Sequence, residues 1–223
     1  MGWYESLQRH KALKWLEENC QPFEWKHAAP AFDGDMEAAF SLSVALRNDL
    51  RGVVAVVMWR AKVPRPAYRV FLGSTWMHDH REVEAAAQNR RTLAHMFRYA
   101  AFESPPELPD MVTVWRGTSY LPIKEAQTGY SWTTDKDMAC WFAMRFASTN
   151  GKPLVLTANV SKREIAMFTN DRGENEVLLL RPPTARIDGN ASDWSDGHQR
   201  KQKAMDADRK AFLNRMPPCP AEG

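Results

Sequence analysis

The chain has 223 residues, of which 44% are hydrophobic and 26% are charged, and its formal net charge is +3. This length and apolar content are enough to close one sizeable core or two modest ones, which excludes a disordered or fibrous protein. The N-terminus has no apolar run of the signal-peptide type, and the most apolar stretch, residues 52–59, is far shorter than the roughly 20 residues of a membrane-spanning helix. We therefore expect a soluble globular protein that has no membrane partner.

The cysteines and the charge distribution indicate the cellular setting. Cys20, Cys140 and Cys219 lie far apart in the sequence, so they lack the paired spacing of a disulfide framework or of a four-ligand zinc site. This pattern favours a reducing, cytoplasmic compartment. Residues 198–215 hold six Lys or Arg against two Asp, which predicts a solvated basic segment rather than a basic domain.

Residues 1–104 have the pattern of a helical region. Asp35 is a good N-cap for the apolar helix MEAAFSLSVAL, and the prolines of KVPRP predict that a new helix begins near Ala67. Residues 92–102 give the clearest amphipathic helix, with apolar side chains at i, i+3, i+4 and i+7. The cluster SPPELP at 104–109 restricts the backbone and predicts a boundary to the next region.

Beyond this boundary the pattern becomes rich in strands. Three short segments, 111–115, 153–160 and 176–180, are rich in Val, Leu and Thr and are bounded by Pro, Gly or Asn. Between the first two, the sequence DKDMACWFAMRFA predicts a helix with Thr134 or Asp135 as its cap. We therefore expect an α+β fold.

Several kinds of catalytic site are disfavoured by the sequence. His78 and His80 are two residues apart on a predicted helix, where they point to different faces, so we interpret HDH as a polar helix surface, with a metal site as the less favoured alternative. The sequence contains no GxSxG nucleophile elbow and no GxxxxGK[ST] or GxGxxG phosphate loop. Cys140 lies inside the apolar helix ACWFA and is interpreted as a core residue.

Three short polar motifs lie in the strand-rich region. Arg116 and Gly117 come at the end of a predicted strand, and Ser131 begins the sequence SWTTD. Glu174 lies just before the last predicted strand, which Glu176 begins. Each motif alone has a structural explanation, as a surface arginine, a strand that runs into a helix cap, or a solvated strand start. Their order and residue types together indicate a functional site.

Taken together, the motifs resemble those of the ADP-ribosyltransferases of the Arg-Ser-Glu class, the arginine-modifying group related to cholera toxin. Arg116 with Gly117 matches the arginine motif, SWT at 131–133 matches Ser-Thr-Ser with two changes, and ENE at 174–176 matches Glu-x-Glu. The resemblance covers residues 111–181. The sequence is also similar to phage and bacterial members in that an aromatic helical segment follows the middle motif. The resemblance implies a split β-sandwich core, NAD as the substrate that supplies ADP-ribose, and no metal.

The resemblance implies a set of NAD-binding residues. Arg116 would bind the diphosphate of NAD, which its fixed fork of five donors suits better than the point charge of a lysine. Gly117 would present its backbone to the nicotinamide carboxamide, because it has no side chain to prevent the approach. Ser131 would donate a hydrogen bond that orients Glu176, and Thr133 is placed with Ser131 among the NAD-binding residues.

Glu174 and Glu176 are expected to divide the chemistry. Two residues apart in an extended segment, they would point to the same face of the sheet. Cleavage of the bond between nicotinamide and ribose develops positive charge on the sugar, which the carboxylate of Glu176 would stabilise. Glu174 would position the acceptor guanidinium and take a proton from it, because a protonated guanidinium is a poor nucleophile. Phe168, in the preceding loop, would recognise the target or, alternatively, belong to the core.

The expected function is NAD-dependent mono-ADP-ribosylation of arginine in a protein, in the host cytoplasm if the chain is a phage or bacterial effector. Two alternatives stay open: an NAD glycohydrolase with water as acceptor, and a non-enzymatic helical interaction module. Nucleic acid as acceptor has little support, since the net charge is only +3 and residues 198–215 hold a single aromatic residue rather than an interleaved series. The chain would then comprise a helical region 1–104 that buttresses the core, covers the NAD cleft or binds the target, a catalytic core 110–182, and a polar, basic tail 183–223 with one possible helix near 198–213.

Overall fold

The computed structural model describes residues 3–215, and the chain divides into two compact units. The boundary lies between Glu103 and Ser104, at the start of the proline-rich cluster. Cys219 and the last residues of the predicted tail lie outside the described residues. Within residues 3–215, no helix has the length and apolarity needed to cross a membrane.

The first unit is helical, as the sequence predicts. The carboxylate of Asp35 caps the fourth helix by accepting a hydrogen bond of 3.0 Å from the Ala38 amide. The amphipathic helix is also confirmed, although it begins at Arg90 with Asn89 as its cap. The described helices of this unit are α1 (Trp3–Asn19), α2 (Pro22–Trp25), α3 (Ala28–Asp33), α4 (Met36–Ala45), α5 (Asn48–Arg60), α6 (Arg65–Ala87) and α7 (Arg90–Ala100).

Helices α5 and α6 are in close contact at Gly52. A Cβ atom at this position would lie 2.1 Å from the carbonyl oxygen of Glu82, so a side chain here would push the two backbones apart. The apolar stretch that the sequence predicts to be buried lies in α5, where Val54, Ala55 and Met58 are fully buried. The helical unit therefore has a hydrophobic core of its own.

Helix α6 has a kink at Asp79, whose backbone is not helical (φ −138°, ψ 43°). The Asp79 carboxylate accepts a hydrogen bond from Arg51, and both side chains are mostly buried. His78 Nδ1 lies 2.8 Å from the carbonyl oxygen of Ser74, one turn earlier. Asp79 is thus part of an ion pair between α5 and α6. In the described part of the chain, no three or more His, Cys, Asp or Glu side chains are grouped in a way that could hold a metal ion.

The second unit contains a six-stranded antiparallel sheet, which confirms the α+β fold. Its strands are β1 (Met111–Thr118), β2 (Ser131–Thr133), β3 (Leu154–Ser161), β4 (Ile165–Thr169), β5 (Glu176–Leu179) and β6 (Arg186–Ile187). Their order across the sheet is β4-β5-β2-β1-β3-β6. The predicted strands are confirmed as β1, β3 and β5. The sequence does not predict β4, which follows β3 after only three residues, or β6, which is too short to show a periodicity.

The strands form one sheet rather than the two packed sheets of the expected split sandwich. The reason is that β2 pairs with β1 on one side and with β5 on the other, so the ladder is continuous across the unit. One face carries the larger core cluster, which includes Val112, Val114, Trp132, Leu156, Val177 and Leu179. The other face packs on helix α9 (Lys136–Met144), where a second cluster contains Ala139, Cys140, Ala143, Val155 and Trp194.

Residues 183–215 are not a free polar tail, because β6 pairs with β3 and a long helix then packs on α9. The remaining described helices of this unit are α8 (Ile123–Ala126), α10 (Ala147–Asn150) and this long helix, α11 (Ala191–Arg215). A Cβ atom at Gly197 of α11 would lie 2.8 Å from Cys140 Sγ, so the two helices are in close contact. Arg200 forms an ion pair of 2.6 Å with Asp137 in the first turn of α9. Part of the basic charge that the sequence assigns to solvent therefore binds the acidic start of α9.

Candidate functional site

The three sequence motifs lie on three neighbouring strands at the centre of the sheet. Arg116 is in β1, Ser131 and Thr133 are in β2, and Glu176 is the first residue of β5. Trp115 lies opposite Thr133, and Thr133 lies opposite Glu176, so these three residues form one row across the sheet. Directly opposed residues project from the same face, which places Thr133 and Glu176 side by side. The fold thus brings together residues that are far apart in the sequence.

Arg116 leaves β1 on the opposite face from that row, because side chains alternate along a strand. It lies opposite Leu156 of β3, a member of the larger core cluster. Its guanidinium reaches the start of β2, where Nη1 donates a hydrogen bond of 2.5 Å to the carbonyl oxygen of Ser131. A Cβ atom at Gly129 would lie 2.0 Å from Arg116 Cζ. Arg116 therefore ties β2 to β1 over a glycine, a structural contact that the sequence motif does not indicate.

Gly117 is in contact with helix α9. A Cβ atom at this position would lie 1.8 Å from the carbonyl oxygen of Ala139 and 2.9 Å from the amide nitrogen of Ala143. The glycine thus permits close approach of a backbone, as its residue type predicts, and the backbone that approaches is that of α9. Binding of the nicotinamide carboxamide at Gly117 stays a prediction.

Thr133 joins β2 to the loop that carries Glu174. Its hydroxyl donates a hydrogen bond of 2.6 Å to the carbonyl oxygen of Glu174 and accepts one of 3.0 Å from the amide of Asp135. Asp135 in turn caps α9 by accepting from the Met138 amide at 3.1 Å, which confirms one of the two predicted caps. Ser131 is half-buried and lies opposite Leu178, whereas Thr133 lies opposite Glu176. Of the two hydroxyls, that of Thr133 is therefore aligned with Glu176 in the ladder.

Glu174 and Glu176 do not lie in one extended segment, contrary to the sequence expectation. Asn175 between them has φ +47°, in the left-handed region, and strand β5 begins only at Glu176. Asparagine is one of the few residues other than glycine that adopt this conformation readily. The backbone amide of Asn175 also donates a hydrogen bond of 3.1 Å to Asn170 Oδ1. The alternation of side chains along a strand therefore does not apply to the two glutamates, and Glu174 belongs to the loop before β5.

The carboxylate of Glu174 pairs with an arginine from its own loop. Arg172 Nη2 lies 3.0 Å from Glu174 Oε2, and the Glu174 side chain is 23% exposed. A second cation, Arg145, interacts electrostatically with both residues. The charge of Glu174 acts to raise the pKa of Arg145, and the charge of Arg172 acts to lower it. Burial is the largest influence and brings the pKa of Arg145 below its ordinary value. Glu174 thus contacts one guanidinium group and lies within electrostatic range of a second.

Arg145 lies against three aromatic rings at the end of α9. Its Cζ is 4.8 Å from the ring centroid of Trp141, 5.0 Å from that of Phe142 and 4.6 Å from that of Phe146. These distances are those of cation–π contacts. This cluster is not among the three sequence motifs. The spacing in WFAMRF nevertheless indicates it, since Trp141 and Phe142 precede Arg145 by four and three residues on a helix.

Helix α11 contributes contacts near the Glu174 loop that no sequence motif indicates. Lys201 Nζ lies 2.7 Å from Asp135 Oδ2 and donates a hydrogen bond of 3.3 Å to the carbonyl oxygen of Gly173. Trp141 Nε1 donates to Gln202 Oε1 at 3.0 Å. The last helix therefore connects the start of α9, the aromatic end of α9 and the loop that precedes β5.

The structure places two further candidates in or against the hydrophobic core. Phe168 lies opposite Val177 in the β4–β5 ladder and packs on the larger core cluster, which agrees with the alternative that the sequence left open for it. Cys140 is fully buried, and burial raises the pKa of its thiol to about 11. A thiol that stays protonated at neutral pH is a poor nucleophile, so Cys140 is confirmed as a core residue.

Comparison with known proteins identifies no relative of this chain. No protein-family model, no curated protein and no solved structure matches this chain. The functional assignment therefore depends on the motifs and on the geometry of the residues that carry them.

Proposed function

We propose that this protein is an NAD-dependent mono-ADP-ribosyltransferase that modifies arginine in a protein acceptor. The observation that supports this best is the arrangement of the three motifs of the Arg-Ser-Glu class on adjacent strands, with Arg116 on β1, Ser131 and Thr133 on β2, and Glu176 on β5. Ser131, Thr133 and Glu176 share one face of the sheet, so they can act on one substrate. Arg116 projects from the other face, and its guanidinium reaches the start of β2. The second unit would then correspond to the catalytic core, extended by α11.

Glu176 is the residue to which we assign cleavage of the bond between nicotinamide and ribose. As this bond breaks, positive charge develops on the ribose, and a carboxylate that is already in place stabilises that charge without a cost of reorganisation. Thr133 holds the backbone of the preceding loop and lies beside Glu176 in the sheet. The side chain of Glu176 would therefore be presented from a fixed position. Arg116 would bind the diphosphate at the start of β2.

Glu174 is the residue to which we assign binding of the acceptor. Its carboxylate holds the Arg172 guanidinium at 3.0 Å, and this contact supports arginine as the chemical group that it would recognise. A carboxylate can position a guanidinium and take up the proton that is released when a guanidine nitrogen forms a bond to ribose. Glu174 is also within electrostatic reach of Arg145, so a second guanidinium adds positive charge near this carboxylate.

A single experiment separates this function from the two alternatives. The purified full-length chain is incubated with labelled NAD and a cell lysate, and label is measured on protein and as free ADP-ribose. We expect label on protein, removable by treatments that cleave ADP-ribose from arginine. Free ADP-ribose alone would indicate an NAD glycohydrolase, and neither product would indicate a non-enzymatic module. Either of these results would contradict the proposal.

Variants of the two glutamates test the two proposed roles in the same experiment. Glu176→Gln removes the stabilising charge, so transfer and hydrolysis should both fall by roughly 10²–10³-fold, the loss typical of one preorganised electrostatic group. Glu174→Gln removes only the group that prepares arginine, so transfer should collapse while slow hydrolysis survives. Equal loss of hydrolysis in both variants would contradict this division of roles. Unchanged NAD turnover in both would place the site elsewhere.

A further inference from the structure

The carboxylate that we assign to acceptor binding is already in contact with a guanidinium of the same chain. Arg172 Nη2 lies 3.0 Å from Glu174 Oε2, and the Arg172 side chain is 52% exposed against 23% for Glu174. The more buried partner is thus the carboxylate, and the more accessible one is the arginine. A binding group is expected to be the more buried partner, and the group that it binds is expected to be the more accessible one.

The backbone of the loop keeps the two side chains together. Gly173 between them has φ +67°, and Asn175 has φ +47°, both in the left-handed region. Asn170 closes the loop, because its carbonyl oxygen accepts from the Gly173 amide at 2.9 Å and its side chain accepts from the Asn175 amide at 3.1 Å. The contact between Arg172 and Glu174 is therefore a feature of a closed turn.

We propose that Arg172 is itself an acceptor, so that the protein carries a built-in modification site at which it attaches ADP-ribose to its own chain. This inference rests on the proposed function. In the reaction, the bond between C1′ of ribose and the nicotinamide nitrogen breaks, and nicotinamide leaves with the electron pair. A guanidine nitrogen of Arg172 forms the new bond to C1′, and the proton that it loses passes to the carboxylate of Glu174.

Arg172 is a better acceptor than Arg145, the other arginine close to Glu174. The guanidinium of Arg145 lies within 4.6 to 5.0 Å of three ring centroids, and attachment of ADP-ribose would break these stacking contacts. Arg172 has one described ion-pair partner, Glu174, and more than half of its side chain is accessible. We therefore expect modification at Arg172 and not at Arg145.

The test uses the full-length chain with NAD and no other protein, followed by peptide mass spectrometry. We expect ADP-ribose on Arg172. Arg172→Lys should remove this modification and should increase transfer to agmatine, a small free guanidine, because a competing guanidinium is lost from the acceptor position. Arg163→Lys, which changes an exposed arginine in the turn between β3 and β4, is the matched control and should leave the labelling of Arg172 as in the wild type.

The outcomes separate this inference from the proposed function. If agmatine is modified but Arg172 is not, the self-modification site is wrong and the transferase stands. Labelling of Arg145 or of other arginines, unchanged in Arg172→Lys, also overturns the assignment of the site. If no nicotinamide is released and agmatine is not modified, both the inference and the transferase function are wrong. Circular dichroism of Arg172→Lys shows whether the variant is folded.

Discussion

The two units of this protein use charged side chains in opposite ways. In the helical unit, Glu24 is completely buried and is saturated by hydrogen bonds from the Gln21 amide at 2.7 Å and from the amide and guanidinium of Arg47 at 3.1 and 2.9 Å. In the sheet unit, Glu174 is partly exposed and forms its ion pair with Arg172 of its own loop. The first carboxylate connects α2 to the start of α5. The second has no comparable role in the core.

This difference indicates where function is expected. Buried charges that are fully paired, such as Glu24 and the Asp79–Arg51 pair, are explained by the fold that they stabilise. The partly exposed Glu174–Arg172 pair before β5 and the aromatic cluster around Arg145 are not part of the buried core. Groups that a fold does not need are those available for binding and catalysis.

The largest effect on stability is expected for Gly117→Ala in the sheet unit. The new Cβ atom would lie 1.8 Å from the backbone carbonyl oxygen of Ala139, so α9 would have to move away from β1 at a cost of about 3 kcal/mol or more. The free energy of unfolding is measured by urea denaturation. Gly173→Ala is the control, since nothing lies within 4 Å of its Cβ position and only its φ of +67° is unfavourable, at about 1 kcal/mol. A smaller loss for Gly117→Ala than for this control would contradict the packing of α9.

A loss of about 2 kcal/mol is expected for Glu24→Ala in the helical unit. The change leaves two backbone amides and the Arg47 guanidinium without the buried carboxylate that they contact. Native-state hydrogen exchange locates the effect, and protection should fall in α2, α4 and α5 while β1 and β3 are unchanged. Glu18→Ala, at an exposed position of α1, is the control. Equal loss of protection in both units would show that they do not unfold separately.

A smaller effect, on ligand affinity rather than on folding, is expected for Arg116→Lys. The lysine retains the charge but replaces a bidentate fork by one ammonium group, so NAD affinity should fall by about tenfold, or about 1.4 kcal/mol. Isothermal titration calorimetry measures the affinity, and the free energy of unfolding is measured on the same sample, because Arg116 also contacts the start of β2. Unchanged NAD affinity would remove Arg116 from the site and leave it as a structural residue.

The smallest effect is expected for Asp188→Asn and depends on pH. Burial alone would raise the pKa of the Asp188 carboxyl, but hydrogen bonds from Lys136 and Trp115 outweigh it, so this pKa lies below its ordinary value. A group with a lowered pKa stabilises the fold when ionised and loses this contribution as the pH falls through that pKa. Asp188→Asn should therefore cost about 1 kcal/mol at pH 7 and progressively less below roughly pH 4. Asp208→Asn, at an exposed position of α11, is the control and should show no such pH-dependent difference.

Local features of the structure could be predicted from the sequence. The sequence predicts Asp35 as the cap of α4, and Thr134 or Asp135 as that of α9, because a short polar side chain before an apolar helical repeat satisfies the free amides of a first turn. Strands β1, β3 and β5 were identified from runs of Val, Leu and Thr between turn residues. These signals act over a few residues, so no knowledge of the rest of the chain is needed to interpret them.

Other features depend on contacts between distant residues, and only the tertiary structure decided them. Helix α11 was expected to be solvated because its sequence is polar, yet Gly197 and Arg200 bind it to α9. The turn at Asn175 separates two glutamates that a strand would have aligned. The sequence by itself therefore determined the helices with clear apolar periodicity, strands β1, β3 and β5, the caps at the start of α4 and α9, and the presence of three polar motifs. The sheet register, the packing of α9 and α11 and the pairing of Glu174 with Arg172 required the folded chain, because hydrogen-bond register and side-chain packing are set by partners that a local pattern does not contain.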